Sequence, residues 1–175
     1  MRKTFFILPL VFFLIFGIFF YLLSTDRNPS EIPSNLINKN VPNFKADTLL
    51  KKKKFISTVE FGNEVVLVNF FATWCKPCRD EHVYIKSLAN KNEIRVIGIN
   101  YKDNPKKAIE WLKTLGNPYS DIPLDENGRI AIDWGVYGIP ETFVVGSDKI
   151  IKYRHVGQIT KKIYKKINLL VDNLK

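Results

Sequence analysis

Two cysteines, Cys75 and Cys78, are the residues of this 175-residue sequence whose type and spacing point most directly to chemistry. They are the only cysteines in the chain, and two residues separate them. A pair this close encloses a loop too small to restrict the unfolded chain much, which argues against a purely structural disulfide. At this spacing one thiolate can attack a disulfide and the other can resolve the mixed disulfide that forms. The pair therefore predicts thiol:disulfide exchange.

The segments around the two cysteines predict where the pair lies in the fold. Residues 65–71 form a near-continuous apolar run, typical of a strand buried on both faces. Apolar residues at helical spacing predict a helix over about 77–89, so the pair lies where the strand passes into the helix. The positive end of a helix stabilises a thiolate, and Lys76 adds a further positive charge. Trp74 is expected to shield one side and to leave Cys75 at the rim.

Metal binding is an alternative use of the same cysteines. Cys75, Cys78 and His82 have ligand-like spacing, and His155 could supply a fourth ligand. Structural zinc sites, however, commonly combine two C-x-x-C pairs, or one such pair with two close histidines, and this sequence has neither. Covalent haem attachment would require a histidine directly after the second cysteine, where Arg79 stands. Redox chemistry is the favoured interpretation, and a copper- or zinc-binding chaperone stays open as the alternative.

A long apolar segment precedes everything else in the chain. Residues 5–23 contain no charged residue and include seven of the 13 phenylalanines. A helix of this length extends about 28 Å, close to the bilayer core of about 30 Å. A cleaved secretory signal has a shorter apolar region of about 7–15 residues and then small residues at its cleavage site. Residues 24–27 offer no such site, so the sequence predicts an uncleaved signal anchor over 5–23.

The anchor divides the chain into unlike parts. Arg2 and Lys3 precede it, which favours a cytoplasmic N-terminus over residues 1–4 and export of the rest. Residues 24–40 are rich in Asn, Pro and Ser, as is typical of a tether, and residues 41–175 are predicted to fold as one domain. The whole chain is 46% hydrophobic with a formal net charge of +10, which excludes collagen-like, disordered and disulfide-scaffold proteins.

The positive charge does not indicate a nucleic-acid partner. Lysine outnumbers arginine by 21 to 6, the basic residues are scattered, and no cluster of stacking aromatic residues accompanies them. The basic run over 51–54 is interpreted as a solvated loop, with contact to anionic lipid as the alternative.

The remaining pattern alternates strands and helices. A second buried strand is predicted over 94–100, and Asn104 can cap a helix that starts at Pro105 and ends near Gly116. Residues 125–128 are predicted to form a turn. Two strands joined by a tight turn, and a final amphipathic helix, are predicted over 143–145, 150–154 and 160–174. This order predicts an α/β domain with a mixed central sheet.

Two motifs resemble those of a known family. Residues 71–78, Phe-Ala-Thr-Trp-Cys-Lys-Pro-Cys, are similar to the active-site stretch of thioredoxin-like proteins. Residues 135–143, Gly-Val-Tyr-Gly-Ile-Pro-Glu-Thr-Phe, resemble a signature of the cytochrome c biogenesis thiol:disulfide interchange proteins of the CcmG or DsbE type. Shorter matches to the same group lie at 98–103, 116–119 and 153–155. The resemblance runs from about residue 41 to the end of the chain.

The resemblance implies a thioredoxin-like fold, with a mixed central sheet flanked by helices. Residues 101–134 correspond to a central insertion, in which Trp111 and Trp134 are expected to be core residues rather than recognition surface. By similarity, Cys75 attacks or is attacked, and Cys78 resolves the mixed disulfide.

The resemblance also implies a substrate-binding loop. Pro140 would be a cis proline beside the cysteine pair, and it would expose the backbone of Ile139 for strand-like pairing with an incoming peptide. Trp74, Ile139 and Pro140 are therefore the expected substrate-binding residues.

Two acidic residues match positions that the family places near the cysteines. Glu81 and Glu141 are expected to tune the thiol pKa or to carry a proton, and Glu81 shares a helix face with Cys78. Thioredoxins carry a buried Asp six residues before the first cysteine, where this sequence has Asn69. Because an amide does not titrate, the expected proton-handling role passes to the two glutamates.

The function implied by the resemblance is that of a periplasmic dithiol reductant in c-type cytochrome maturation, anchored in the inner membrane by a single span. Its expected partners are apocytochrome c or a cytochrome-maturation thiol protein, together with a membrane thiol-electron transporter that supplies electrons. No cofactor, metal or nucleic acid is expected. The alternatives are a copper- or zinc-binding thioredoxin-like chaperone and a general periplasmic thiol oxidoreductase.

Overall fold

The computed structural model describes residues 4–24, 35–49, 55–92 and 94–175. Within these residues the helices are α1 (Thr4–Ser24), α2 (Lys76–Asn92), α3 (Pro105–Leu115), α4 (Arg129–Asp133) and α5 (Lys161–Leu174), with a 3-10 helix at Thr58–Phe61. The strands are β1 (Lys45–Asp47), β2 (Phe55–Ser57), β3 (Val66–Phe71), β4 (Arg95–Tyr101), β5 (Leu124–Asp125), β6 (Glu141–Val145) and β7 (Ile151–Val156).

A five-stranded mixed sheet in the order β5-β4-β3-β6-β7 forms the centre of the domain. β3 and β4 are parallel, as are β4 and β5, whereas β6 is antiparallel to both β3 and β7. β3 is the central strand and all six of its residues are buried, as its continuous apolar run predicts. The predicted α/β class with a mixed central sheet is confirmed.

Side chains of β3 alternate between the two faces of the sheet. On one face, Leu67 and Phe71 belong to the same core as Ile85 of α2, Trp111 of α3 and Ile167 of α5. The cysteine pair also lies in this core. The three longest helices of the domain therefore pack on the face that carries the predicted chemistry.

The opposite face of the sheet packs around Trp134, which is fully buried. The rings of Phe143 and Phe70 lie 5.1 and 5.9 Å from the Trp134 ring, and Ile130 of α4 joins the same cluster. Trp111 is 5% exposed. Both tryptophans of the insertion are thus core residues, as predicted.

The predicted elements that position the cysteines agree closely with the structure. The strand predicted over 65–71 is β3, and the helix predicted over about 77–89 lies within the longer α2. Asn104 caps α3 as predicted, because its side chain accepts hydrogen bonds from the backbone N–H groups of Lys106 and Lys107 at 3.0 and 3.2 Å.

Several short elements were not predicted: β1, β2, β5, the 3-10 helix and α4. Each has two to five residues, too few to show a hydrophobic period. α4 begins directly after the predicted turn at 125–128, and the Asp125 carboxylate accepts hydrogen bonds from the N–H groups of Ile130 and Ala131 at 3.0 and 2.9 Å. A side chain in the turn therefore caps a helix that propensity alone does not reveal.

Residues just before position 41 also contact the folded domain. Leu36 and Ile37 pack against the core on the Trp134 face. The N–H of Asn38 donates to the carbonyl of Ile151 at 2.9 Å, which ties this segment to β7. The last residues of the predicted tether, 24–40, thus pack against the domain.

One described helix is long and apolar enough to cross a membrane. Ile7–Ser24 of α1 has 18 residues with a mean hydropathy of 2.6, and none of it is buried within the protein. This helix coincides with most of the anchor predicted over 5–23. Residues 25–34 of the predicted tether and the basic run at 51–54 lie outside the described residues.

Gly98 of β4 makes room for the buried ring of Tyr119. A Cβ atom built on Gly98 would lie 2.7 Å from Cγ and Cδ1 of the buried Tyr119 ring. We expect Gly98→Ala to lower the free energy of unfolding by about 1–3 kcal/mol, because the packed ring cannot move aside freely. Gly138→Ala is the matched control, since its Cβ would meet nothing within 4 Å. Denaturant unfolding of both variants tests this, and equal effects would contradict it.

Candidate active site

The two cysteines lie at the junction of β3 and α2 and are joined by a disulfide bond. A turn precedes the helix, in which the Cys75 N–H donates to the Ala72 carbonyl at 3.2 Å. The N–H of Cys78 points at the Cys75 sulfur at 3.1 Å. This N–H is one of the unpaired donors at the helix start, so it is placed to stabilise a thiolate on Cys75 after reduction.

The predicted peptide-binding loop faces the Cys75 sulfur. The Ile139–Pro140 peptide bond is cis, as the family resemblance implied. The Ile139 carbonyl oxygen lies 3.7 Å from Cys75 Sγ. The Pro140 carbonyl accepts a hydrogen bond from the Gly157 N–H at 2.9 Å, which anchors the loop to the end of β7. Tyr137, two residues before Ile139, is 71% exposed and lies at the rim of this loop.

The turn before Cys75 is clamped to the end of the neighbouring parallel strand. Asp103 accepts hydrogen bonds at 2.7 Å from both the backbone N–H and the hydroxyl of Thr73. The side chain of Asn100 donates to the same carboxylate at 3.0 Å. Trp74 donates its ring N–H to the Lys102 carbonyl at 3.1 Å and remains 59% exposed. The clamp thus holds Trp74 at the surface beside the cysteine pair.

Cys75 is less exposed to solvent than its expected position at the rim of the site suggests. Cys75 is 4% exposed and Cys78 is 2% exposed, so both are buried rather than one lying openly at the rim. The predicted charge of Lys76 is also less effective than expected. Its side chain is 82% exposed and pairs with Asp80 at 2.8 Å, so solvent and the carboxylate both screen it. The helix N–H groups are the closer source of positive potential.

Glu81 is a buried acid on the same helix as the cysteines and is 1% exposed. Its two carboxylate oxygens accept hydrogen bonds from the Asn69 side chain at 2.8 Å and from the Ile159 N–H at 2.7 Å. Burial raises the pKa of Glu81 from 4.5 to about 7, against the opposite effect of these two hydrogen bonds. A carboxyl group with this pKa can both accept and release a proton near neutral pH.

Glu141 is fully buried, but its carboxylate is occupied by neighbouring groups. One oxygen accepts the N–H groups of Tyr137 and Gly138 at 2.8 and 3.4 Å. The other accepts from Nε of Arg154 at 2.7 Å, and Arg154 also donates to the Gly135 carbonyl at 2.8 Å. The Glu141–Arg154 ion pair therefore secures the loop that leads into Ile139–Pro140.

Both histidines use their Nε2 atoms within the protein. His82 Nε2 lies 2.8 Å from the Gly116 carbonyl, and His155 Nε2 lies 3.1 Å from the Gln158 carbonyl. Burial lowers the pKa of both rings, so the neutral form is favoured. Among the residues that the structure describes, no three His, Cys, Asp or Glu side chains are grouped to hold a metal.

Sequence reasoning named the cysteines and the loop but assigned no role to three residues around them. Asp103, Tyr119 and Arg154 all fall in the shorter motif matches. A signal for Asp103 was present, because polar residues that follow neighbouring parallel strands meet at the same sheet edge. Arg154 contacts Glu141 on the neighbouring strand, 13 residues away in sequence, whereas Tyr119 contacts Asn69 across 50 residues.

The raised pKa of Glu81 predicts a distinctive pH dependence of stability. Between pH 4.5 and about 7 the folded protein keeps the Glu81 proton while the unfolded chain loses it. The contribution of Glu81 to stability is therefore full below pH 4.5 and falls by about 3 kcal/mol as the pH rises to about 7. Glu81→Gln removes this fall. Urea unfolding at a series of pH values gives the free energy of unfolding as a function of pH for both proteins. Parallel pH profiles for the wild type and Glu81→Gln would contradict the prediction.

The chemistry of the site follows from where the two sulfurs lie. Reducing the disulfide yields one thiol beside both a helix N–H and the Ile139–Pro140 loop. It yields a second thiol one turn away, on the same helix as the buried carboxyl group of Glu81. The first can exchange with a disulfide in a bound chain and the second can release that chain. On a mixed sheet with this topology, such a site defines a thioredoxin-like thiol:disulfide oxidoreductase.

Comparison with known proteins agrees with this class and narrows it. The Redoxin family model matches residues 37–168. The chain is 41% identical over 166 residues to the thiol:disulfide interchange protein DsbE of Vibrio cholerae, covering 93% of this chain and 90% of that protein. The chain belongs to the DsbE family of thiol:disulfide interchange proteins.

Two further similarities extend the comparison. The thiol:disulfide interchange protein CycY of Rhizobium leguminosarum is 43% identical over 134 residues, which cover 77% of this chain and 72% of that protein. The crystal structure of a DsbF homologue from Corynebacterium diphtheriae superposes with a TM-score of 0.71 at 20% identity, covering 86% of this chain and 96% of that one. The latter likeness confirms the thioredoxin-like fold.

Proposed function

We propose that this protein is a membrane-anchored dithiol reductant that works on the periplasmic side of the inner membrane in c-type cytochrome maturation. Its substrate is the oxidised cysteine pair of apocytochrome c, reduced directly or through a partner thiol protein. The observation that carries the proposal is the Cys75–Cys78 disulfide at the start of α2, facing the Ile139–Pro140 loop, in a chain of the DsbE family.

The proposed reaction has two exchange steps. The Cys75 thiolate attacks one sulfur of the substrate disulfide, which forms a mixed disulfide and releases the other substrate sulfur as a thiolate. Cys78 then loses its proton and attacks the Cys75 sulfur, which closes the intramolecular disulfide and releases the second substrate sulfur. Two electrons pass to the substrate, and two protons complete its thiols. A dithiol on a membrane thiol-electron transporter returns the electrons by the reverse sequence.

We assign the proton transfer of the second step to Glu81. Cys78 is buried and must be deprotonated before it attacks, and Glu81 lies three residues further along the same helix. Its pKa, raised to about 7 by burial, suits it to accept that proton at neutral pH. Glu141, held by Arg154, serves instead to position the binding loop.

The loop beside the cysteines is the proposed binding surface for the substrate chain. Ile139 presents its carbonyl beside Cys75, and a peptide laid along it can pair as an added strand. Trp74, which is exposed, and Pro140, which is buried, flank the proposed position of the bound peptide. We propose that these three residues hold the substrate in line for exchange.

The anchor supports the proposed location. α1 satisfies the length and composition of a single membrane span, and Arg2 and Lys3 before it favour residues 1–4 on the cytoplasmic side. Tethering would raise the effective concentration of the domain near other membrane components. Because the exported side is oxidising, a reductant there needs steady resupply from such a component.

Trapping of the mixed disulfide tests the proposed substrate. A Cys78→Ala variant of the full chain cannot resolve the intermediate, so its partners should stay bound through Cys75 after acid quenching. We expect apocytochrome c or cytochrome-maturation thiol proteins among the trapped partners, and none with the Cys75→Ala/Cys78→Ala control. A broad spread of unrelated exported proteins would contradict the assignment to cytochrome maturation.

A further inference from the structure

A buried chain of polar side chains lies behind the cysteine pair, on the β3 side of α2. Asn69, 1% exposed, donates through Nδ2 to Glu81 Oε1 at 2.8 Å and to Thr142 Oγ1 at 3.1 Å. Its Oδ1 accepts the Tyr119 hydroxyl at 2.9 Å. We propose that the hydroxyl of Tyr119 is a positioning group that fixes the orientation of the Asn69 amide and so determines which amide atom faces Glu81.

The Tyr119 hydroxyl is not needed for packing. The ring stacks on Phe71 with centroids 4.7 Å apart, and it lies against Gly98, which has no side chain to displace it. A phenylalanine would keep these contacts. A buried hydroxyl is unfavourable unless it is hydrogen-bonded, and its bonding partner in the structure is Asn69 Oδ1. The role of the hydroxyl is therefore to orient the Asn69 amide through this hydrogen bond.

The two orientations of the Asn69 amide suit different states of Glu81. In the observed orientation the NH₂ group faces the carboxyl, which stabilises the ionised form. In the reversed orientation the amide oxygen would face Glu81, and only a protonated carboxyl could donate to it. Reversal would also turn the NH₂ group toward Tyr119, leaving its O–H proton without the acceptor it now has. Tyr119 thus opposes the orientation that favours protonated Glu81.

Outside its own helix, the Glu81 carboxylate contacts the Asn69 amide and the Ile159 N–H. The buried phenol of Tyr119 lies beyond the amide, and its pKa is raised by burial and, to a smaller extent, by the charge of Glu81. The burial that raises the pKa of Glu81 is opposed by the Asn69 and Ile159 hydrogen bonds. Removing the Tyr119 hydroxyl weakens the first of these, so the pKa of Glu81 should rise further. This inference rests on the proposed role of Glu81 as the proton acceptor.

The test is a ¹³C NMR titration of the glutamate carboxyl groups in the reduced full-length protein in detergent micelles. The Glu81 signal is the one that Glu81→Gln removes. We expect Tyr119→Phe to move its midpoint up by about one pH unit, the size of one net hydrogen bond. Tyr164→Phe is the matched control, a half-buried tyrosine on α5 whose ring contacts Tyr84, and it should leave the midpoint unchanged.

Two further measurements separate positioning from a general structural effect. Asn69→Ala should raise the Glu81 midpoint by itself and make the added Tyr119→Phe change ineffective, because the hydroxyl acts through the amide. The pH dependence of the exchange rate should shift with Tyr119→Phe in the wild-type background but not in Glu81→Gln. An unchanged midpoint in Tyr119→Phe, or additive shifts in the double variant, would overturn the proposal. The titration needs no substrate, so its outcome does not depend on whether the trapping experiment recovers cytochrome-maturation proteins.

Discussion

Replacing Cys75 by serine is expected to lower the rate of disulfide reduction by at least about 10³-fold, to the uncatalysed level. A serine oxygen cannot form the mixed disulfide on which both exchange steps depend. Cys75 is the proposed attacking thiol because its sulfur faces both the Cys78 N–H and the Ile139 carbonyl. Stopped-flow reduction of a disulfide-linked peptide by the prereduced protein measures the effect.

Cys78→Ser is the matched comparison for that experiment. It keeps the attacking thiol, so the first exchange should proceed while the mixed disulfide accumulates instead of resolving. Both variants lose one buried sulfur and should retain the circular dichroism spectrum of the folded domain. The opposite pattern, with Cys78→Ser inactive and Cys75→Ser forming the mixed disulfide, would reverse the proposed roles.

Replacing Arg154 by methionine is expected to lower the free energy of unfolding by about 3–5 kcal/mol, a large share of a typical domain's stability of about 5–15 kcal/mol. The change leaves the fully buried carboxylate of Glu141 without its ion-pair partner at 2.7 Å. It also removes the cation that lies 4.9 Å from the centre of the Tyr137 ring and 5.6 Å from that of Phe143. Chemical denaturation of the full chain in micelles provides the measurement.

Arg129→Met is the matched control, because it removes an exposed ion pair instead of a buried one. Arg129 pairs with Asp133 at 3.4 Å, but its side chain is 78% exposed, so its loss should change stability by less than about 1 kcal/mol. Adding Glu141→Gln to Arg154→Met should recover part of the loss, because the amide oxygen can still accept from Tyr137 and Gly138. Equal effects of the two arginine substitutions would show that burial of the pair is not what matters.

The parts of the fold that the sequence predicts well are those with strong local signals. β3 has a continuous apolar run, α3 has Asn104 and Pro105 at its start, and α5 has a clear apolar stripe. Together with the helix predicted over about 77–89, the β3 run places the cysteines at a strand-to-helix junction. The cis bond before Pro140 was available only through the family resemblance, since local sequence does not distinguish it from a trans bond.

The supporting contacts of the site could not be predicted because they join distant parts of the chain. Tyr119 meets Asn69 across 50 residues, and Glu81 meets Ile159 across 78. Such pairs depend on strand order and on helix packing, which a single sequence does not specify. The sequence therefore does not distinguish the surroundings of the two glutamates. Burial raises the pKa of Glu81, whereas Glu141 forms an ion pair with Arg154.

The equilibrium reduction potential of the cysteine pair tests the central claim of a dithiol reductant most directly. The full-length protein in micelles is equilibrated with dithiothreitol or glutathione buffers of known potential, and the oxidised fraction is read by thiol trapping of Cys75 and Cys78. A reductant must have a more negative reduction potential than its substrate. We therefore predict a potential nearer to the value of about −270 mV for thioredoxin than to that of about −120 mV for DsbA. A value near −120 mV would instead mark an oxidant and would contradict the proposed direction of electron flow.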